Sequence, residues 1–402
     1  MIDKQISLCE RKDCTGCLAC KQACKQGAIS IDYSDKGFAY PVINHDLCIG
    51  CNSCDKACPV ISLQPPYYYN SESRCYSAYQ KKMDVRKRSS SGGMFYTIAK
   101  HFLDQGGVVF GAAWTDNLHL KHIEAADEKA LENLLRSKYV QSDTSDVFVQ
   151  AKQRLDEGRK VLFCGTPCQV AAMKSFLRGK EYENLLLVDV ICQGVPSPAI
   201  FRKYIDEVES KYHSKIVDVT FRSKKYGWRC GLLLLFLCDD GRTIEVRFGK
   251  NTYYRAFLRN YFMRDSCYNC QFKSSSKGCF SDITLADFWR IGTRVPYKCD
   301  TYESGVSAVL TNTSKGANVF DEIKNDVVWE ERTYDEFSTN GGLRVAQRPK
   351  NWESAFETAK VESFEVIQSK YYPYSKRNAF SDWMSMRFSQ QTIKNIKKWI
   401  RR

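Results

Sequence analysis

Several signatures of nucleotide handling are missing from this chain. No G-x-G-x-x-G occurs, so a Rossmann site for NAD(P) or FAD has no support, and there is no P-loop. No C-x-x-x-C-x-x-C occurs, which argues against radical chemistry with S-adenosylmethionine. Histidine is scarce, five in 402 residues, and none pairs with a cysteine or an acid at a motif spacing. His101 falls on an expected helix and is read as a core or surface residue rather than a catalyst. The longest apolar run, Gly231–Cys238, is far too short to cross a bilayer. Met1-Ile2-Asp3-Lys4 is no apolar signal segment.

Cysteine, by contrast, is abundant: nineteen residues. Eight form two runs, Cys14, Cys17, Cys20, Cys24 and Cys48, Cys51, Cys54, Cys58, repeating with an offset of 34 residues. Each reads C-x-x-C-x-x-C-x-x-x-C, and Pro59 follows the second. This is the spacing of bacterial two-cluster ferredoxins, in which each fourth cysteine serves the other run's cluster. Cys14, Cys17, Cys20 and Cys58 are therefore expected to hold one 4Fe–4S cluster, and Cys48, Cys51, Cys54 and Cys24 the other. Lys25 stands where proline usually follows the first run. Zinc also uses paired Cys-x-x-Cys, but a zinc site needs only four ligands, and two interlocked runs exceed that. Thiolate ligands need a reducing compartment, so a cytoplasmic location is expected.

Hydrophobic residues at 43% and aromatics at 13% can build a sizeable core, and the length suits two or three domains. The formal charge is +14. A cluster with its four thiolates carries about −2, so three clusters and a flavin would leave about +6. That excess suits an acidic redox partner, an anionic substrate or a membrane face. Nucleic acid is disfavoured, because no recognition motif accompanies the charge.

Residues 1–63 read as a small α+β ferredoxin-like domain. Between its cysteine runs, Ala28–Tyr33 alternates in polarity, Asp35-Lys36-Gly37 turns, and Phe38–Val42 returns as a β-hairpin. Residues 64–73, with Pro65 and Pro66, form a linker. A mixed α/β domain follows, its N-terminal part at 74–150 and its C-terminal part at 151–330. Ser89-Ser90-Ser91-Gly92-Gly93 opens a helix over Met94–Leu103. Lys160–Cys164 is an apolar strand, and Thr166 and Pro167 cap a helix running to about Leu177. Leu185–Ile191 is the next strand and Pro198–Glu209 the next helix, which makes at least one parallel βαβ unit. β-rich segments follow at Val217–Phe221, Leu232–Leu237 and Thr243–Phe248. Residues 331–402 are expected to be a mostly helical extension. Its last stretch, Gln391–Arg402, sets Ile393, Ile396 and Ile400 among five basic residues. Packing on its own protein is the favoured reading of that helix, with a membrane surface as the alternative.

A second set of cysteines stands out in the large domain. Cys168 opens a helix, where the dipole favours a thiolate. Cys192 ends the next strand, so both would sit at the carboxyl edge of a parallel sheet, where ligands bind. Cys267-Tyr268-Asn269-Cys270 adds a short chelating pair. Cys267, Cys270 and Cys279 with a fourth ligand could alternatively hold zinc. Cys164 and Cys168 could form a redox disulfide, which a reducing cytoplasm disfavours. Seven cysteines remain, Cys9, Cys75, Cys164, Cys230, Cys238, Cys279 and Cys299, and most of them read as small buried hydrophobes. Two glycines before a helix make an anion site of the kind a flavin pyrophosphate needs.

These residues occur in order with Arg136–Ser142, Gly165-Thr166-Pro167-Cys168-Gln169 and Ser281–Trp289. Over residues 74–300 the chain resembles the β-subunits of coenzyme F-420-reducing hydrogenases and dehydrogenases, which form one family. The resemblance implies a third 4Fe–4S cluster on Cys168, Cys192, Cys267 and Cys270. It also implies FAD contacts at Ser91, Gly92, Gly93, Lys138, Tyr139 and Gln141. Arg290 stands where relatives often have glycine. The expected protein is an iron–sulfur flavoprotein oxidoreductase. It would take electrons from ferredoxin or a partner subunit, through 4Fe–4S clusters, to FAD and a small organic substrate, coenzyme F-420-like or another. The alternative is an electron-transfer subunit with no catalysis of its own. No acid or base residue can be named from the sequence.

Overall fold

The computed structural model describes residues 8–63, 73–228, 233–247, 250–273, 279–299 and 302–375, with 379, 380 and 384. Met1–Lys4, nearly all of the 64–73 linker, Cys230, the expected strand ends Leu232 and Phe248, and the basic segment Gln391–Arg402 lie outside the described residues.

The N-terminal module is built twice over. Gly16 and Gly50 share a positive φ, 69° and 72°, and Leu18 and Asn52 are both left-handed at 56° and 55°. Each pair leads into a five-residue helix, Ala19–Ala23 and Ser53–Ala57, and each helix stops at an extended cysteine, Cys24 and Cys58. The repeat in the cysteine spacing is thus a repeat in the backbone. A left-handed leucine is costly, so the loop's path imposes this conformation, not the residue's own preference. Strands β1 (Ile29–Tyr33) and β2 (Ala39–Ile43) pair antiparallel, with Ile31 opposite Pro41, as the expected hairpin.

The large domain is built on an eight-stranded mixed sheet. Its strands are β3 (Arg74–Gln80), β4 (Val108–Trp114), β5 (Leu120–Ala125), β6 (Val161–Gly165) and β7 (Leu185–Val190). A separate three-stranded antiparallel sheet holds β8 (Ile216–Ser223), β9 (Leu233–Cys238) and β10 (Thr243–Val246). The chain then returns to the large sheet through β11 (Ile283–Asp287), β12 (Ser307–Thr311) and β13 (Val327–Arg332). Strand order is β13-β3-β12-β11-β7-β6-β4-β5. The four central strands, β11, β7, β6 and β4, are parallel and the flanking ones antiparallel. Side-chain alternation divides the core. Leu162, Leu186 and Val188 face the helix Met94–Asp104, while Val161, Phe163, Leu185 and Leu187 face the helices Val147–Asp156 and Pro167–Phe176. Burial on both faces is why these strands read as unbroken apolar runs. Thr166 and Pro167 start their helix as expected, and Gln169 closes a capping box by accepting the Thr166 N–H at 2.9 Å. Beyond β13, helices at Trp352–Val361 and Phe364–Tyr371 pack onto the three-stranded sheet and the helix Pro198–Tyr212.

The ferredoxin-like module is docked against the large domain. Ala19 and Ala57 join the core under the Pro167–Phe176 helix. Polar contacts reach both its side chains, as at Gln22, and its main chain. Thr144 Oγ1 donates to Cys17 O at 2.6 Å, Gln141 Nε2 to Thr15 O at 3.0 Å, and Ser197 Oγ to Lys36 O at 2.6 Å. The hairpin turn at Gly37 has φ +77°, and a Cβ there would overlap that of Ala199. Gly37→Val should therefore loosen the hairpin from the Pro198–Tyr212 helix. Left-handed strain alone costs about 1–2 kcal/mol. A lower thermal midpoint and faster proteolysis between residues 33 and 39 are the expected readouts; unchanged behaviour in both would show that the turn is not held there.

Candidate functional site

The structure brings Cys14, Cys17, Cys20 and Cys58 together, close enough that each thiol influences the ionisation of others in the set. Cys24, Cys48, Cys51 and Cys54 line a separate small cavity with Ile29, Ile43 and Ile49. Both groupings cross between the two sequence runs. Cys9, which the sequence did not set apart from the other remaining cysteines, lies within hydrogen-bond reach of Cys14 and Cys58. Sharing its thiol hydrogen holds Cys14 below the ordinary thiol range, at about 6. Five sulfurs thus crowd one end of the module. Spacing alone gave no sign of it, because Cys9 stands five residues outside the run.

Cys168, Cys192, Cys267 and Cys270 also converge, beyond the carboxyl ends of β6 and β7. Thr166 Oγ1 lies 3.2 Å from Cys168 Sγ, and Val195 N–H donates to Cys267 Sγ at 3.4 Å. Burial pushes Cys192 up to about 11 and Cys267 to about 12, and Cys168 well above its usual range. The expected thiolate-favouring effect of the helix start at Cys168 is therefore overruled by desolvation. These are sulfurs that shed their protons only to a metal's positive charge. Cys279 stands apart, beside Asp189 and Ser281, so it does not complete a site with Cys267 and Cys270. None of the described cysteines is in a disulfide. Among the described residues no group of three or more Cys, His, Asp or Glu closes around a single ion.

Beside this set opens a cleft of about 650 Å³, within the usual range of ligand sites. Cys192 lines its wall, together with Ser91, Gly93, Lys138 and Tyr139. Gly92 and Gln141 do not line it, which corrects their expected places. Gly92 is packed where a Cβ would meet Ala78 O at 2.5 Å, and its N–H is taken by Ser307 Oγ at 2.9 Å. Gln141 turns toward the cysteine module. Gly93 holds φ +90° at the start of the Met94–Asp104 helix, whose first-turn N–H groups face the Ser-rich turn. Lys224 pins that turn, donating to Ser91 O, to Arg86 O at 2.7 Å and to Ser304 O at 2.8 Å. Lys138 is partly buried in the cleft wall. Its Nζ donates to Leu135 O at 2.8 Å, and burial lowers it to about 7. Tyr139 packs between Phe221, Tyr254 and Phe257. An apolar, aromatic wall with a helix start at one end and a cluster-type cysteine at the other fits a flavin.

Four features were not legible in the sequence. Arg264 is fully buried and joins the two cysteine regions. It donates from Nε to Cys14 O at 2.6 Å and from Nη2 to Ala39 O at 2.9 Å, and it lies over the Tyr40 ring at 4.2 Å. Its own carbonyl accepts from Cys267 N–H at 3.0 Å. Asp287, at the end of β11, binds Arg222 and accepts from Trp228 Nε1 at 3.0 Å, and Trp228 stacks on Trp289 at 4.8 Å. His122 lines the cleft, donates from Nε2 to Cys164 O at 3.1 Å, and is driven down to about 4 by burial, so it is neutral at pH 7. Asp189, in β7, is fully enclosed with neither carboxylate oxygen in a hydrogen bond of ordinary geometry. The Ser281 and Thr284 hydroxyls only soften the burial that raises it to about 6.

Residues 158–336 match the family described as the C terminus of the coenzyme F420 hydrogenase/dehydrogenase beta subunit, and residues 13–61 match the 4Fe-4S dicluster domain. One subunit of the F(420)H(2) dehydrogenase of Methanosarcina mazei is 22% identical over 369 residues, covering 88% of this chain and 94% of that protein. Among solved structures, a chain of the xenon-derivatised F420-reducing nickel–iron hydrogenase complex of Methanosarcina barkeri is similar. It aligns over 76% of this chain and 93% of its own, with a TM-score of 0.44 and 16% identity.

Two outcomes follow from the buried groups. Arg264→Met leaves the Cys14 and Ala39 carbonyls without their donor and should cost at least about 3 kcal/mol in thermal or denaturant unfolding. It should also lower the reduction potential of the centre at Cys14, since a nearby positive charge is lost; an unmoved potential in an EPR-monitored titration would contradict this. Asp189 holds its proton up to about pH 6 when folded but only to 3.8 otherwise. Its contribution is therefore full below pH 3.8 and lost as pH rises through 6. Asp189→Asn should be stabilised by roughly 1–3 kcal/mol at pH 7.5, and melting curves should show that gain vanish below pH 4.

Proposed function

We propose that this chain is an iron–sulfur flavoprotein oxidoreductase, because residues 158–336 match the C-terminal family of coenzyme F420 hydrogenase/dehydrogenase beta subunits and residues 13–61 match the 4Fe-4S dicluster domain. It would move electrons between a redox protein and an organic substrate. One observation supports this above the others: Cys192 belongs to the four-cysteine set and also forms part of the cleft wall. An iron–sulfur centre there would touch whatever the cleft holds.

Cys14, Cys17, Cys20 and Cys58 would hold the first cluster, and Cys24, Cys48, Cys51 and Cys54 the second. Cys168, Cys192, Cys267 and Cys270 would hold the third, and the cleft at Ser91, Gly93, Lys138 and Tyr139 would hold FAD. Bound there, a flavin would supply the exchange between single electrons and hydride transfer. The protein's part is to shape and dry the site. Val190, Ile191, Leu285 and Phe257 line the cleft with apolar surface. Lys138, lowered to about 7, can hold or release a proton at the cleft wall near neutral pH. At the far end, Cys51 is exposed beside Leu47 and Ile49, which are 53% and 67% exposed. A redox partner would dock against this end. Among organic substrates, a coenzyme F-420-like molecule is the first to test, given the name of the Methanosarcina mazei relative. That relative is a subunit, which favours a larger complex as the working form. Among the described residues no helix is long and apolar enough to cross a membrane.

Anaerobically purified protein should contain about twelve irons and one FAD per chain, as three cubanes and one flavin require. Cys192→Ala should retain about eight irons. Wild-type protein with eight irons and no flavin would refute the assignment of the large domain.

A further inference from the structure

The 34-residue repeat that builds the N-terminal module is broken by one sulfur. Counted by that offset, Cys9 corresponds to Ile43. Ile43 lines the cavity of the second cysteine set, and its side chain has no hydrogen to donate. Cys9 lies within hydrogen-bond reach of two sulfurs of the first set, Cys14 and Cys58, which come from different runs. It is a fifth thiol where Cys14, Cys17, Cys20 and Cys58 already supply the four that a cubane takes.

A short turn holds Cys9 in place. Glu10 O accepts from Asp13 N–H and from Cys14 N–H, both at 3.0 Å, so the chain before the run folds back toward its first cysteine. Arg11 fastens this turn to the β1–β2 hairpin. It donates to Asp32 at 2.9 Å, and its guanidinium lies 5.0 Å from the centre of the Tyr40 ring. On the other side, Leu8 packs against Cys20, Ile29 and Cys54. Cys9 itself is half-buried against the core that contains Cys14, Phe38 and Tyr40. The two cysteine sets differ further in the same sense. Arg264 Nη2 donates to Cys14 Sγ at 3.6 Å, whereas Cys54 Sγ lies 3.7 Å from a carboxylate oxygen of Asp55. The first set is surrounded by donors and the second is not.

We propose that Cys9 is a positioning residue of the first cluster, a thiol that donates its hydrogen to the ligand sulfurs of Cys14 and Cys58 and so raises that cluster's reduction potential. A hydrogen bond draws negative charge from a ligand sulfur. The reduced cluster carries one more negative charge than the oxidised one, so the bond is stronger after reduction and the electron is held more tightly. This rests on the assignment of Cys14 and Cys58 to one cluster. It adds a bias within the module. An electron on the second cluster, at the exposed Cys51 end, is drawn to the first, which Arg264 ties to Cys267. The second cluster is oxidised as the first is reduced.

The test is a redox titration followed by EPR on the full chain purified without oxygen, with iron and flavin measured on each sample. Cys9→Ala should keep the wild-type iron content. It should lower the reduction equilibrium constant of one iron–sulfur centre at least about 3-fold, which is about 28 mV for a one-electron couple. The other centres should keep their potentials. Cys9→Ser retains a hydrogen to donate and should shift that centre less. Unmoved potentials in Cys9→Ala overturn the proposal. So does a shift as large in Cys9→Ser as in Cys9→Ala, which would make the effect one of packing. A loss of about four irons in Cys9→Ala would also overturn it, because Cys9 would then be a ligand itself. The two readings can fail separately. Wild-type protein with about eight irons and no flavin, in which Cys9→Ala still shifts one centre, would defeat the assignment of the large domain and leave the role of Cys9 standing. Flavin-loaded protein with about twelve irons and unmoved potentials would do the reverse.

Discussion

The buried guanidinium of Arg264 is the tie on which the rest of the arrangement depends. It reaches into the N-terminal module to hold the Cys14 and Ala39 carbonyls, and its own main chain leads directly to Cys267. A cation with no exposure to water is costly unless every N–H is used and the charge is matched. Here carbonyl oxygens, the Tyr40 ring and Gln141 Oε1 at 3.3 Å provide that match. Metal-bound thiolates nearby would complete it. The same residue thus fixes the separation between two groups of cysteines and sets the electrostatics of the nearer one. The fit is tight: a Cβ on Gly16 would come within 2.6 Å of the guanidinium.

The sheet places the chemistry. Four parallel strands bring the ends of β6, β7 and β11 to one edge, so Cys168, Cys192 and Asp287 come together although they are distant in sequence. The Arg222–Asp287 pair, with stacked Trp228 and Trp289, walls off that edge. Burial then decides the ionisation of what lies there. It keeps His122 neutral, brings Lys138 down to about 7 and pushes the cysteines up.

What the sequence revealed was local. Cluster ligands need fixed spacing, so Cys14–Cys24 and Cys48–Cys58 were readable, and their exchange of fourth members followed from a spacing rule. The cap at Thr166, the hairpin over 28–42 and the first parallel unit were readable for the same reason: each is decided within a dozen residues. Strand order was not, because β11 enters the sheet between β7 and β12 after an excursion through the three-stranded sheet. Arg264 is one cation among sixty lysines and arginines, and only tertiary burial distinguishes it. Gln141 lies in a motif expected at the cleft, yet its side chain points to Thr15 O instead. A motif fixes where the backbone goes more firmly than where each side chain points. Cys168 shows the limit of arguing from a helix terminus, since desolvation there outweighs the dipole.

Five of the contacts that moor the N-terminal module end on its peptide carbonyls, Cys14, Thr15, Cys17, Lys36 and Ala39, while others use its side chains, Gln22 above all. Peptide oxygens are the same whatever residue bears them. The module's outward surface can therefore drift through mutation, retuning which donor it recognises, while the mooring stays intact. A foreign module of like loop path that kept Gln22 could be spliced into the same berth, which makes this end of the molecule an exchangeable plug.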